Sequence, residues 1–139
     1  MKKETTKKNE NKQILEEVAE KVTQKMEEDI ERIEREKTVE AIAEGFKKDH
    51  KEVFITDMAG IQIVWRKLKR SEYKELMTAE FSEHEELQFL ERQEFIAKKV
   101  ILYPYDVEEL IEEYAGIAEI IATETMLKTG FGLTNTRTV

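Results

Sequence analysis

Few side chains in this sequence could do chemistry. Histidine occurs only at His50 and His84, and cysteine does not occur. Without cysteine there is no disulfide, no thiol nucleophile and no thiolate metal site. Asp49-His50 and Glu83-His84-Glu85-Glu86 would bind a metal only if the fold brought them together. Neither has the H-E-x-x-H spacing that puts two imidazoles on one helical turn. Both read as polar residues at helix ends, and no metal site is expected. Carboxylate pairs such as Glu108-Glu109 and Glu112-Glu113 are abundant. General acid–base work needs a carboxylate whose pKa is moved by burial, and in segments this charged the pairs read as solvated helix faces. No G-x-x-x-x-G-K-[ST] loop, G-x-S-x-G elbow or glycine-rich dinucleotide turn is present. Nothing in the chain points to an enzyme or to a cofactor.

Binding is better represented than catalysis. Tryptophan and arginine are enriched at interface centres, which makes the adjacent Trp65 and Arg66 candidates for partner contact. The competing and favoured reading of Trp65 is as the anchor of a hairpin on helices. The second candidate is a line of apolar residues, Ile14, Leu15, Val18, Val22, Met26, Ile30 and Ile33. Spacings of three and four keep them in one narrow stripe on a helix face. The other faces carry Glu, Lys and Arg, with i,i+4 pairs such as Glu17–Lys21 and Glu28–Arg32. Such a stripe must pack on this chain's own core, on another copy, or on a different protein. Leu15, Val18, Val22, Met26, Ile30 and Ile33 are its candidate contact residues.

These residues need elements to position them. Residues 1–11 are polar and aperiodic and read as a flexible basic tail. Residues 12–48 read as one long amphipathic helix, with Asn11 able to cap it and no Gly or Pro before Gly45. After Ile33 the phase slips, because the next apolar set is Val39, Ile42, Ala43 and Phe46. Either the helix breaks near 34–38 or it continues and changes partner there. Nothing in that stretch breaks a helix, which favours continuation.

The β-like region follows. Val53-Phe54-Ile55-Thr56 and the alternating Ile61–Arg66 flank the turn Asp57-Met58-Ala59-Gly60, which reads as one β-hairpin. A lone hairpin is marginal in water, so its apolar face is expected on helices. Ser71 is placed as the cap of a short helix with Tyr73, Leu76 and Met77. Ser82 and Glu85 have capping-box spacing ahead of a longer helix with Leu87, Leu90, Ile96, Ala97, Val100 and Ile101 inward, ended by Pro104. Asp106 and Glu109 form a second such pair, opening a helix with Val107, Leu110, Ile111 and Tyr114 that exits at Gly116. Ile117, Ile120, Ile121 and Leu127 define the last helix, stopped at Gly130-Phe131. The expected fold is mainly α with one small β-hairpin: a long N-terminal helix, a compact hairpin-plus-helices domain at 50–132, and a flexible tail at 133–139.

Charge narrows the partners. Of the 139 residues, 39% are charged and 40% hydrophobic, with a net charge of −8. That is a large water-facing surface for a modest core. Residues 1–13 and 51–70 each carry +3, whereas 14–50 carry −5 and 71–139 carry −9. An acidic body repels nucleic acid, so no direct nucleic-acid binding is expected. No apolar run approaches the roughly 20 residues of a membrane span. No apolar h-region follows Met-Lys-Lys, so neither a membrane segment nor a signal peptide is expected.

Four pieces then occur in order. Ile63–Leu76 reads as a hydrophobic strand, then aromatic-Arg-x-Leu-x-Arg-x-Glu-Tyr, then helix. Gln93–Pro104 reads as a helix ending in Val-x-Leu-x-Pro. Ala115-Gly116-Ile117 and Thr129-Gly130-Phe131-Gly132 complete the series. That order resembles the small tail-assembly and baseplate-hub-assembly proteins of contractile-tailed bacteriophages. It covers about residues 53–132. A cysteine often stands where the family's helix approaches its proline, and here Lys98–Leu102 has none. The resemblance implies no catalytic residues. It implies a morphogenesis protein that binds tail or baseplate proteins in the host cytoplasm, as an assembly chaperone or as a permanent virion subunit. An acidic inhibitor or nucleic-acid mimic is a further alternative, disfavoured by the Lys and Arg interspersed through most helices. Self-association through the N-terminal helix is open in every case.

Overall fold

A computed structural model describes residues 2–132 and 134–139, with side chains from Lys8 onward. Met1 and Leu133, both placed in the expected tails, lie outside the described residues. The elements run α1 (Lys2–Phe46), β1 (Val53–Met58), β2 (Ile61–Arg66), α2 (Arg70–Thr78), α3 (Glu85–Val100), β3 (Ile101–Tyr103), α4 (Val107–Glu113) and α5 (Ile117–Met126), closed by a wide π-helical turn at Leu127–Phe131. The chain divides into two units, Met1–Glu40 and Ala41–Val139.

The first unit is α1 up to Glu40. The helix already includes Lys8 to Lys12, so Asn11 lies inside it and does not cap it. The stretch holds no Gly or Pro, and Lys, Glu and Gln are good helix formers, so propagation from the stripe region meets no obstacle. The helix also runs unbroken through 34–38. Arg32 pairs with Asp29 at 3.3 Å, one residue along from the expected Glu28.

The second unit contains the last turns of α1, a three-stranded antiparallel sheet in the order β1-β2-β3 and helices α2 to α5. Phe54 lies opposite Trp65 across the hairpin, with ring centroids 4.6 Å apart. The turn is shorter than expected. Ala59 and Gly60 alone connect the strands, with φ of 49° and 78°, the two-residue turn whose twist suits a right-twisted hairpin. The third strand is new. Ile101–Tyr103 was expected as the end of a helix, but α3 stops at Val100. The residue before a proline is driven toward extended geometry, and Ile101 and Tyr103 pair with Trp65 and Val64 on the free edge of β2, with a register shift between them.

The core sits between the sheet and the helices. Ile63 and Trp65 of β2 and Leu68 meet Ala97, Val100 and Ile101, then Leu110, Ile117, Ala118 and Ile121. A smaller cluster joins Leu76, Ile96 and Ala122, flanked by an edge-to-face contact between Phe81 and Phe95. Several helix starts differ from expectation. Helix α2 begins at Arg70, and the Glu72 carboxylate accepts the Lys69 N–H at 3.0 Å, so Ser71 lies inside the helix. Ser82 accepts from His84 N–H and leaves α3 without a side-chain cap. Asp106 does cap α4, accepting the Glu109 N–H at 3.2 Å. Gly116 precedes α5 as its N-cap. Gly130 turns the chain at φ 113°, and Phe131 then packs on Tyr73 of α2 with ring centroids 5.1 Å apart. Residues 134–139 are exposed and carry neither helix nor strand.

Ala59 is the one non-glycine described at positive φ, a conformation that costs an L side chain roughly 1 kcal/mol and that asparagine tolerates. Ala59→Asn is expected to raise unfolding stability by about 0.5–1 kcal/mol, read as a higher urea midpoint at unchanged slope. An unchanged or lower midpoint would contradict this account of the turn.

Candidate protein-binding surfaces

The sequence points to two partner-binding groups, and their fates differ. Trp65 is 1% exposed. Its indole stacks on Phe54 and its Nε1–H donates to Thr56 Oγ1 at 2.8 Å. Both its apolar body and its polar handle are used inside the second unit, so it is a core anchor and leaves the list of partner contacts. Arg66 leaves it as well. Its guanidinium donates to both Glu72 oxygens, at 2.7 and 2.8 Å. It also donates to the Lys99 carbonyl at 2.7 Å and the Lys67 carbonyl at 3.0 Å. Both side chains of the pair are largely buried, at 14% and 11% exposure.

Arg66 and Glu72 therefore form an internal clamp tying the end of β2 to the start of α2 and the end of α3. The Arg66 hydrogen bonds hold the Glu72 carboxyl below its usual range, with the Lys69 N–H assisting and burial opposing. Elsewhere in the basic run, Lys67 Nζ reaches Glu52 Oε2 at 2.7 Å, and that hydrogen bond lowers Glu52 as well. The run at 66–70 is thus largely engaged within the chain.

The α1 stripe has the opposite character. Leu15 is 70% exposed and Met26 60%, and Ile14, Val18, Val22, Ile30 and Ile33 lie between 45% and 57%. Within the first unit nothing covers this line. The burial changes where the phase slips, with Val39 at 7% exposure and Ala43 at 6%. One uninterrupted helix therefore shows its apolar residues in two faces, bare before residue 34 and buried after it. Helical backbone at 34–38 shifts the pattern without a kink, since six residues from Ile33 to Val39 are close to five-thirds of a turn.

A second apolar surface lies at the start of α3. Leu87 and Leu90, expected inward, are each 50% exposed, and Phe89 is 61% exposed. Only the later turns of α3, from Gln93 to Val100, are packed into the unit. Phe89 and Leu90 line a shallow depression with Glu85 and Glu86. The helical period correctly made α3 amphipathic but could not say that its first turns extend past the core. Among the described residues, no group of three His, Asp or Glu side chains is placed to hold a metal ion. No described helix is long and apolar enough to cross a membrane.

The clamp carries a pH dependence with a definite sign. Glu72 is depressed when folded and titrates near 4.5 when unfolded. Its contribution is complete above that value and is lost as pH falls through the depressed folded pKa. Arg66→Ala strands a buried carboxylate and is expected to destabilise by about 3 kcal/mol at neutral pH. Glu72→Gln is expected to flatten the loss of stability as pH falls below the ordinary carboxylate range in urea titrations. An unchanged acid profile in that variant would remove the clamp from the account. The chain matches no protein-family model, no curated protein and no solved structure.

Proposed function

We propose that this protein is a bacteriophage morphogenesis factor that acts by binding other proteins, as an assembly chaperone for a tail or baseplate component. The observation that carries the binding part is the α1 stripe, whose contact residues Leu15 to Ile33 stay 45–70% exposed along one face. Covering the remaining exposed half of each such side chain contributes about 1 kcal/mol, so an apolar partner gains several kcal/mol from the stripe. The Leu87, Phe89 and Leu90 surface on α3 offers a second contact of the same kind. The charged remainder keeps a protein with this much bare apolar surface dispersed in water.

The phage part rests on the order of segments at 63–76, 93–104, 115–117 and 129–132, which resembles small tail-assembly proteins. These segments fall on β2 and α2, on the second half of α3 with β3, on the start of α5 and on the final turn. A client with exposed apolar surface is held in the host cytoplasm until it enters the tail or baseplate. No step of this function requires a cofactor, a metal or a membrane.

Affinity purification of the full chain from infected cells is expected to recover a tail-tube, hub or tape-measure protein. Recovery of none of them would contradict the proposal. Quantitative mass spectrometry of purified virions separates the chaperone from a permanent subunit. The chaperone is absent or far below stoichiometry, whereas a fixed copy number would make the protein structural.

A further inference from the structure

The six contact residues of the stripe, Ile14 apart, have an internal symmetry that their exposure alone does not require. Leu15, Val18, Val22, Met26, Ile30 and Ile33 are separated by 3, 4, 4, 4 and 3 residues. The series reads the same in both directions about residue 24. Its length is also commensurate with the helix. Eighteen residues from Leu15 to Ile33 make five turns at 3.6 residues per turn, so the two ends lie in line and the stripe runs straight along α1.

We infer that this stripe is closed by a second copy of the chain, running antiparallel, with residue i of one helix level with residue 48 − i of the other. When the two-fold axis crosses the helices at right angles, each surface meets itself reversed, so the apolar positions must match in both directions. The mirrored spacing satisfies that condition. Leu15 meets the partner's Ile33, Val18 the partner's Ile30, and Val22 the partner's Met26. An unrelated client gives no reason for the mirror.

Charge selects the same direction. Continuing the line by the same spacings leads outward to Lys8 at one end and Glu40 at the other, both exposed. The two numbers sum to 48, so the antiparallel pair places Lys8 level with the partner's Glu40 at both ends. A parallel, in-register pair places Lys8 on Lys8 and Glu40 on Glu40, with like charges at each end. The wider ends agree. Residues 8–14 hold two lysines and one glutamate, whereas 34–40 hold three glutamates against one arginine and one lysine. The inference rests on the proposed function's reading of the stripe as a contact surface; with a second copy closing the stripe, the client contact of that function falls to Leu87, Phe89 and Leu90 on α3.

The test uses the full chain, which has no cysteine of its own. Light scattering at micromolar concentration is expected to give twice the 16.4 kDa of one chain. A single cysteine at Asn9 or Gln24, both off the stripe, carries a spin label. In the antiparallel pair the Asn9 labels are about 45 Å apart along the axis and the Gln24 labels are level. A parallel pair gives both positions similar short distances. Val22→Glu with Met26→Glu is expected to halve the mass while Trp65 emission still reports a folded second unit. Lys8→Glu is expected to weaken the dimer in low salt, and adding Glu40→Lys to restore it, which keeps the test open if the first variant misfolds. A monomer at all concentrations, equal label distances, or a dimer indifferent to Val22→Glu with Met26→Glu would each overturn the pairing. The client is read separately: a dimer that captures no tail protein sinks the chaperone reading alone, and a monomer that captures one sinks the pairing alone.

Discussion

Strand β2 is the piece that the second unit cannot do without. Ile63, Val64 and Trp65 are consecutive, alternate in direction, and are all fully buried. A strand covered on both faces must be held from both edges and from its end. β1 supplies one edge and β3 the other. The end is held by Arg66, which leaves the strand and enters the clamp with Glu72 and the Lys99 carbonyl. Three elements are fixed by that one guanidinium: the strand it comes from, the first turn of α2, and the last turn of α3. Arginine is suited to the task because its planar fork engages a carboxylate with two parallel bonds and still has donors left for a carbonyl. The helical half of the core then follows, with α5 laying Ile117 and Ile121 against the apolar face of β2.

The first unit follows the opposite logic. Its helix satisfies its own backbone hydrogen bonds but leaves its apolar line uncovered. Helices draw most of their stability from packing an apolar face, so a long helix without that packing is incomplete by itself. The two units therefore divide the labour. The second holds its apolar residues inside, apart from the start of α3. The first displays them, which is why the binding inference settles on α1 and moves away from Trp65 and Arg66.

Much of this was legible in the residues. The hairpin follows from β-branched and aromatic runs around Ala59-Gly60, and α5 follows from Ile117 and Ile121. The change of face in α1 is visible as the phase slip between Ile33 and Val39. What was not legible is instructive. β3 is three residues long and shares a boundary with α3, so no period could reveal it; its one local sign is Pro104, which disfavours helical geometry at Tyr103. The true start of α2 depends on Glu72 reaching back to the Lys69 N–H, two residues before the Ser71 cap that the sequence offers. Trp65 is the hairpin anchor that the favoured reading made it, whereas its neighbour Arg66 points into the clamp, because adjacency of Trp and Arg says nothing about which way a strand end faces. Leu87 and Leu90 carry the right period and still lie outside, since a period gives a face but not the length over which that face is covered.

The central claim is that residues 15–33 of α1 form an incomplete surface that needs another protein, while β2 and α5 form a finished core. Hydrogen exchange on the full chain, followed as a function of protein concentration, reads both halves at once. The account predicts that amide protection at 15–33 rises with concentration, while protection of Ile63 to Trp65 and Ile117 to Ile121 stays constant. Strong protection of 15–33 that does not change down to the lowest concentration would contradict it, since the stripe would then be complete without a partner.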